Sequence, residues 1–313
     1  MNNLLVILGP TASGKTSLAA HWASRNNGEI ISADSRQVYR GMIIGTGKDY
    51  ADYVVEGKSL PYHCIDIVDA GDQYNVYEYQ KDFLRAYNGI LGRGKIPVLC
   101  GGSGMYIEAA INGYRLIQTP VNDHLRRELE TKTDGELEAL LASLKTLHNR
   151  SDTDTRKRMI RAIEIAVYQS EHHPPESNDY PEIQPLLVGI HYDRESRRQR
   201  ITQRLRQRLD EGMIDEAQSL LDKGLTSEQL EYYGLEYKFL AKYLSHELDD
   251  TQMFEQLNTA IHRFAKRQMT WFRRMERNGA TIRWMDGYLP LEEKLREISR
   301  LFVSCSCSKG TIR

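Results

Sequence analysis

An apolar run near the start of the chain is followed at once by a glycine-containing loop and a helical pattern. The run is Leu4–Leu8, and the loop after it reads Gly9-Pro10-Thr11-Ala12-Ser13-Gly14-Lys15-Thr16. A strand, a loop of this spacing and a helix N-terminus form a P-loop, whose backbone N–H groups surround phosphate oxygens. Lys15 can reach the terminal phosphates, and the hydroxyl of Thr16 can hold Mg²⁺. The sequence therefore predicts a site for a polyphosphate group.

The charge of the chain is balanced as a whole and uneven along its length. The formal net charge of the 313 residues is −1, yet seven arginines stand within residues 194–208. Four of them share one face of a helix, which is either a solvated surface or a face that binds phosphate. A neutral chain with such a stripe favours a specific polyanion site over general coating of nucleic acid. The seven are Arg194, Arg197, Arg198, Arg200, Arg204, Arg206 and Arg208.

The first third of the chain alternates short apolar runs with helical patterns. This alternation predicts a P-loop NTPase-like α/β fold, a parallel sheet with helices on both faces. Ligands of such sheets bind at the carboxyl ends of the strands, so we expect the loops there to face one cleft. The predicted strands are 4–8, 29–32, 63–68 and 96–100, and the predicted helices are 15–25, 75–91 and 103–111. The loops are Gly9-Pro10, Ala33-Asp34-Ser35, Asp69-Ala70-Gly71 and Gly101-Gly102-Ser103-Gly104.

A helical segment interrupts this core. Charged helical patterns follow one another from 118 onwards with no apolar strand among them, and Pro174-Pro175 then marks a linker. We therefore predict a core of residues 1–117 and 185–313, helical in its C-terminal part, and a helical insertion domain of residues 118–184. Predicted helices of the insertion are 122–132, 134–147 and 153–169; after it come strands at 186–190 and 281–285 and helices at 194–210, 212–223, 236–247, 251–277 and 290–302.

Asp34 follows the second predicted strand, where its carboxylate would lie across from the P-loop. A carboxylate in that place suits a general base, and an Asx turn or helix cap is the alternative for the same residue. Ser35, Arg36 and Gln37 add donors and acceptors that could read the edge of a base.

The glycines of 101–104 bring the backbone close to a ligand or another loop, or they allow a helix to pack. The strand before them ends at Cys100 without the aspartate that often holds Mg²⁺ in kinases and ATPases, which weakens an ATP-hydrolase interpretation.

The four cysteines are not spaced as a disulfide framework. Cys305 and Cys307 supply only two ligands with no histidine nearby, which disfavours a zinc site, so we expect reduced thiols in the cytoplasm. The five-residue apolar run at the N-terminus is too short for a signal peptide or a membrane span, and no later run is long enough.

Several motifs follow one another in a fixed order between residues 9 and 272. After the P-loop they are Asp34-Ser35-Arg36-Gln37-Val38-Tyr39, Gly45-Thr46-Gly47-Lys48, His63-Cys64-Ile65-Asp66, Gly101-Gly102-Ser103-Gly104-Met105-Tyr106, Arg200-Ile201-Thr202-Gln203-Arg204, Gly234-Leu235-Glu236-Tyr237-Lys238 and Ala265-Lys266-Arg267-Gln268-Met269-Thr270-Trp271-Phe272. This ordered set resembles the tRNA dimethylallyltransferase family, also called tRNA isopentenyltransferases. The P-loop alone is shared with many families, whereas the set is specific.

The resemblance implies a P-loop fold that binds dimethylallyl diphosphate instead of splitting ATP. It implies transfer of the dimethylallyl group to N6 of the adenosine 3′ of the anticodon in tRNA. Asp34 would be the base, Thr11 would hydrogen-bond the diphosphate near the bond that breaks, and Arg200 would stabilise the diphosphate. Residues Gly9 to Thr16 would bind the diphosphate, with Mg²⁺ at the hydroxyl of Thr16.

The resemblance also implies that the helical insertion grips the anticodon stem. We expect a monomer without membrane attachment. Ser103 stands where the family usually has threonine, and the hydroxyl is kept. The implied tRNA-binding residues are Asp34, Ser35, Arg36, Gln37, Ser103, Arg126, Lys157, Arg158, Met159, Ile160 and Arg161.

Three other functions stay open at this point. A related enzyme could prenylate free AMP or ADP, although a long basic insertion favours tRNA. A small-molecule kinase would transfer phosphate from ATP, and a non-catalytic P-loop module would bind tRNA without releasing diphosphate. The basic groups at 156–161 and 263–274 could each contact an RNA backbone.

Overall fold

The computed structural model describes residues 2–144, 152–172 and 180–304. The chain divides into two compact units, the first formed by Met1–Gly113 with Glu182–Arg313 and the second by Tyr114–Pro181. Cys305, Cys307 and the predicted linker at Pro174-Pro175 lie outside the described residues.

The first unit is built on a six-stranded sheet in the order β5-β2-β6-β1-β7-β8. Each pair of neighbouring strands is parallel, which confirms the predicted α/β fold. A two-stranded antiparallel hairpin accompanies it. The sheet strands are β1 (Leu4–Leu8), β2 (Gly28–Ala33), β5 (Tyr62–His63), β6 (Ile96–Gly101), β7 (Pro185–His191) and β8 (Ile282–Asp286), and the hairpin is β3 (Val54–Val55) and β4 (Lys58–Ser59).

The helices lie close to their predicted positions, and one further helix at 227–232 was not predicted from the sequence. A short 3-10 turn spans Tyr50–Tyr53. No helix within the described ranges is both long and apolar enough to cross a membrane. The helices are α1 (Lys15–Arg25), α2 (Val76–Gly92), α3 (Gly104–Asn112), α4 (Asp123–Glu130), α5 (Asp134–Leu144), α6 (Arg156–Glu171), α7 (Arg194–Asp210), α8 (Met213–Asp222), α9 (Ser227–Tyr232), α10 (Leu235–Leu244), α11 (Asp250–Arg277) and α12 (Leu291–Ser304).

Strand β1 lies in the centre of the sheet, and all five of its side chains are inaccessible to solvent. Successive side chains of a strand point to opposite faces, so a fully buried run requires cover on both. Leu5 and Ile7 pack in one cluster with Trp22 of α1 and Ile298 of α12. This packing fixes the start of α1, and with it the P-loop, against the carboxyl end of β1.

The predicted strand at 63–68 is wrong beyond its first residue, because β5 ends at His63. Cys64 and Asp66 have φ angles of 61° and 53°, in the left-handed region that breaks a strand. The Asp66 carboxylate accepts a hydrogen bond from Lys48 Nζ at 2.5 Å, which offsets the cost of the turn. The loop at 69–71 therefore does not follow a strand end, and Asp69 instead pairs with Arg40 at 2.8 Å.

The second unit is a small bundle of α4, α5 and α6. Its core is apolar and contains Leu129, Leu137, Leu141 and Ile163, all fully buried. Helix α6 begins at 156 rather than at the predicted 153, since Thr155 caps it by accepting the Arg158 N–H at 3.4 Å.

Candidate active site

The P-loop joins β1 to α1 through two residues of left-handed conformation. Ala12 has a φ of 61° and Gly14, which caps α1, a φ of 76°. The Lys15 ammonium folds back over the loop, with Nζ 3.4 Å from the Pro10 carbonyl oxygen. Burial lowers the pKa of Lys15, and nearby Cys100 and Asp34 act in the opposite direction. The Oγ of Ser13 is buried without a hydrogen-bond partner among the described residues.

A cavity of about 360 Å³ opens beside this loop, and its size suits a small anionic ligand. Its walls come from the P-loop, from the segment after β2 and from one face of α7. Three of the four arginines predicted to share a face of α7, Arg200, Arg204 and Arg208, therefore line a cleft, whereas Arg197 does not. The lining residues are Ala12, Ser13, Gly14, Lys15, Thr16, Asp49, Asp52, Arg200, Gln203, Arg204, Gln207, Arg208 and Glu211.

Arg200 and Arg204 are fixed differently at this cavity. Arg200 Nε donates to the Ala12 carbonyl at 3.0 Å, and its guanidinium lies 4.5 Å from the centre of the Tyr192 ring. These contacts hold Arg200 against the P-loop. Arg204 Nη2 instead donates to Asp49 Oδ2 at 2.5 Å, so that its charge is paired.

Asp34 stands at the carboxyl end of β2, with Ser35 and Ser103 beside it. Its Oδ1 accepts the Arg36 N–H at 2.9 Å, which is an Asx turn and fixes the carboxylate in place. Ser103 Oγ accepts the Ser35 N–H at 3.1 Å, and Ser103 N–H donates to the Ala33 carbonyl at 3.1 Å. The loops after β2 and β6 are thus joined, and Asp34 lies near enough to Lys15 to affect its pKa.

The side chains of Gln37 and Arg36 both contact other residues of the chain. Gln37 is buried, with Oε1 accepting from Ser32 Oγ at 2.9 Å and Nε2 donating to the Gly47 carbonyl at 3.0 Å. The Arg36 guanidinium lies 5.4 Å from the centre of the Tyr232 ring. Gln37 therefore supports the loop that contains Gly47.

Two supporting residues were missed by sequence reasoning. Gln268 of α11 is buried; its Oε1 accepts the Thr11 N–H at 2.9 Å, and its Nε2 donates to the Gly102 carbonyl at 3.0 Å. A Cβ on Gly102 would lie 2.3 Å from that Nε2, so this glycine serves close approach to a side chain from another helix. The motif at 265–272 was the available signal, although it gave no role to Gln268.

Glu216 of α8 is the second such residue. Its carboxylate accepts the backbone N–H groups of Ile43 at 2.8 Å, Ile44 at 2.8 Å and Gly45 at 2.9 Å. The Tyr237 hydroxyl donates to the same carboxylate at 2.6 Å. One carboxylate therefore holds the loop that leads to Gly47 and Asp49, and a lone glutamate in a helical pattern gave no sign of this.

The chain is similar over nearly its whole length to a set of named proteins. The profile of the IPP transferase family matches residues 37–275, and that of isopentenyl transferases matches residues 2–61. It is 57% identical to tRNA dimethylallyltransferase 1 of Parabacteroides distasonis, over 95% of this chain and 97% of that protein. The chain belongs to the tRNA dimethylallyltransferase family. It is also 55% identical to tRNA dimethylallyltransferase 2 of Phocaeicola vulgatus, over 96% of this chain and 97% of that one.

A solved structure of the tRNA dimethylallyltransferase family has the same fold. The full-length tRNA isopentenylpyrophosphate transferase of Bacillus halodurans superimposes with a TM-score of 0.71 at 32% identity, covering 97% of this chain and 96% of that one. The family membership and the fold predicted from the ordered motifs are therefore confirmed, and the chain is an enzyme of the transferase class.

Six of the implied tRNA-binding residues lie in the second unit. Lys157 and Arg158 are exposed at the start of α6, and Arg158 pairs with Asp154 at 3.1 Å. Met159 and Ile160 are buried in the core of this unit. The remaining two, Arg126 and Arg161, both contact the carboxylate of buried Glu164.

The resemblance to this family implied Mg²⁺, and the residues fit it. Thr16 lines the cavity, and burial raises the pKa of the nearby Cys100 thiol to about 12, so the sulfur stays a neutral thiol. The Asp52 carboxylate lines the same cavity. No cluster of three or more His, Cys, Asp or Glu side chains in the described ranges is placed to hold a metal. Mg²⁺ at phosphate sites takes few protein oxygens and the rest from phosphates and water, which suits this arrangement.

Proposed function

We propose that the chain transfers the dimethylallyl group of dimethylallyl diphosphate to N6 of the adenosine 3′ of the anticodon in tRNA, with release of diphosphate. The observation that carries the proposal is the cavity that joins the P-loop to the arginine face of α7. Its cations suit a diphosphate, and Asp34, at the carboxyl end of strand β2, suits an acceptor that must lose a proton.

The donor diphosphate binds at Gly9 to Thr16, with Lys15 and Arg200 against its oxygens. The bond between the allylic carbon and the diphosphate oxygen breaks through a state in which negative charge grows on the leaving group. Lys15 and Arg200 stabilise that charge where it develops, and they are fixed in place beforehand by Pro10 and Ala12. The Thr11 hydroxyl holds the oxygen nearest the bond that breaks. Thr16 and Asp52 would hold Mg²⁺, which would further neutralise the charge of the diphosphate.

The acceptor is the exocyclic amine of adenine, a weak nucleophile. As the N6–carbon bond forms, the N6 proton passes to the Asp34 carboxylate and the electron pair of the breaking bond leaves with the diphosphate. The Asx turn to Arg36 holds this carboxylate in one orientation, which reduces the entropic cost of the transfer. Ser35 and Ser103 position the base, which must leave its stack to enter the cleft.

The second unit grips the anticodon stem through its exposed cations. Lys157 and Arg158 meet the RNA backbone directly, while Arg126, Met159, Ile160 and Arg161 support the helices that carry them. In the first unit, Arg36 contacts the RNA by stacking on a base or by binding a phosphate. Gln37 acts indirectly, by holding the loop that contains Gly47. We include in the proposal a monomer that works in the cytoplasm, where tRNA occurs and free thiols such as Cys64 and Cys100 persist.

The test is a transfer assay with labelled dimethylallyl diphosphate, Mg²⁺ and tRNA lacking the modification. Label in tRNA, with none in AMP offered at the same concentration, is the expected result. Label in AMP alone would show that the acceptor is a free nucleotide and not tRNA. Label in neither, with phosphate transferred from labelled ATP to a small molecule, would replace the reaction by a kinase.

A further inference from the structure

Arg208 is a third arginine of the cavity, and neither the motifs nor the proposed function uses it. It lies two turns beyond Arg200 on the same face of α7 and lines the cavity with Ser13 and Lys15. The whole residue is only 9% exposed. A guanidinium buried to this degree is costly unless hydrogen bonds and opposite charge compensate it.

The compensation of Arg208 is incomplete in the structure. Its Nη2 is buried without a hydrogen-bond partner among the described residues. The closest carboxylate oxygen is Asp49 Oδ1 at 3.8 Å, and Asp49 already pairs with Arg204. Burial lowers the pKa of Arg208, as does the charge of Arg204; Asp49, Glu236 and Glu211 act in the opposite direction.

Gly47 leaves the space in which the Arg208 guanidinium lies. A Cβ on Gly47 would stand 2.1 Å from Arg208 Nη2, and its φ of +70° also disfavours other residues. The loop that carries Gly47 is held by Glu216 and by Gln37. The fold thus keeps a buried cation at the cavity wall by means of a glycine and two anchoring side chains.

We propose that Arg208 is a further diphosphate-binding residue, which completes its hydrogen bonds on the phosphate oxygens of the donor. The inference rests on the proposed function for the identity of the donor. Lys15 and Arg200 bind the diphosphate on the P-loop side of the cavity. Arg208, which lies two helical turns beyond Arg200 on α7, binds it as well. A small shift of the guanidinium from Asp49 to phosphate exchanges a long ion pair for charge-assisted hydrogen bonds.

The test compares Arg208→Met with Arg206→Met. Arg206 lies on the same helix but packs over the Phe254 ring at 5.5 Å and does not line the cavity, so it controls for lost charge and helix propensity. Binding of inorganic pyrophosphate is measured by calorimetry in the full-length protein, with the Tm of each ligand-free variant as the folding check. We expect the pyrophosphate Kd to rise about 10- to 100-fold for Arg208→Met and to stay unchanged for Arg206→Met.

Steady-state kinetics separates donor from acceptor. The KM for dimethylallyl diphosphate should rise in Arg208→Met while the KM for tRNA stays unchanged. An unchanged pyrophosphate Kd would overturn the proposal for Arg208, whereas failure of the wild-type protein to modify tRNA would overturn the proposed function alone. If Arg208→Met does not fold, Arg208→Gln, which keeps a donor for Asp49 without the charge, takes its place with the same two outcomes.

Discussion

Gln268 and Thr11 are 257 residues apart, and the Thr11 N–H donates to Gln268 Oε1 at 2.9 Å. The same side chain donates from Nε2 to the Gly102 carbonyl at 3.0 Å. One buried amide of α11 therefore joins the P-loop to the loop that carries Ser103. Because Thr11 is placed by this contact, the position of its hydroxyl depends on a helix far along the chain.

Replacing Gln268 by methionine keeps the length of the side chain and removes both hydrogen bonds. The Thr11 N–H and the Gly102 carbonyl are then left without this partner, and we expect a loss of about 2 kcal/mol in the free energy of unfolding. A misplaced P-loop should lower kcat/KM for the donor about 10- to 100-fold. Gln256→Met, at an exposed position of the same helix, is the control in urea unfolding and transfer assays. Equal activity of the two variants would contradict the role of Gln268.

The substitution Asp34→Asn distinguishes the role of Asp34 as a general base from its role in the Asx turn. Asparagine can accept the Arg36 N–H through its side-chain oxygen, as Asp34 Oδ1 does, so the Asx turn is kept while the basic group is lost. We expect single-turnover transfer to fall about 100-fold or more, with tRNA affinity unchanged. Asp34→Ala should lose transfer to a similar extent. Near-normal transfer by Asp34→Asn would remove the base assignment and leave only the turn.

The sheet and the P-loop could be predicted from the sequence because the patterns that indicate them are local. The apolar run before Gly9 and the fully buried β1 are the same five residues. The strand at 63–68 could not be corrected from sequence, since its end depends on left-handed Cys64 and Asp66 and on a contact from Lys48. An apolar pattern does not report such a contact.

The supporting residues of the site were hidden for a related reason. Gln268 and Glu216 act on backbone groups of loops more than 160 residues away, and a lone polar residue in a helix has no local signature. The arginine spacing on α7 showed which side chains share a face, whereas only the structure placed that face on the P-loop cavity.

Arg158 and Arg156 offer a contrast between contact with RNA and support of the fold. Arg158 is exposed, so Arg158→Ala should weaken tRNA binding and reduce the slope of log K against log salt by about 1. Arg156 instead donates to Asp134 at 2.6 Å and to the carbonyls of Leu129, Glu130 and Lys132, so Arg156→Ala should lower the Tm first. Filter binding of tRNA at several salt concentrations checks the prediction for Arg158→Ala. An unchanged slope would exclude Arg158 from the RNA contacts.

Glu29 makes the free energy of unfolding depend on pH in the acid range. Burial opposes ionisation of this carboxyl, but hydrogen bonds from Arg93, His63 and Lys95 prevail and lower its pKa to about 2. A lowered pKa stabilises the folded chain above the unfolded value near 4.5, and the contribution disappears as the pH falls through about 2.

Glu29→Gln should therefore cost about 2 kcal/mol at pH 7. Urea unfolding of both proteins at pH 7 and pH 3 measures the difference, which should be smaller at pH 3. A difference independent of pH would show that packing, and not ionisation, is what the substitution removes.

In the proposed reaction, diphosphate leaves this P-loop only when an adenine amine attacks. The most direct measurement follows diphosphate release from dimethylallyl diphosphate with an anticodon stem-loop RNA whose base 3′ of the anticodon is either adenosine or inosine. Inosine keeps the ring and lacks N6. We expect release with adenosine, one dimethylallyl group gained by the RNA for each diphosphate, and no release with inosine. Release at the same rate with inosine, or without RNA, would contradict it and make the protein a diphosphate hydrolase.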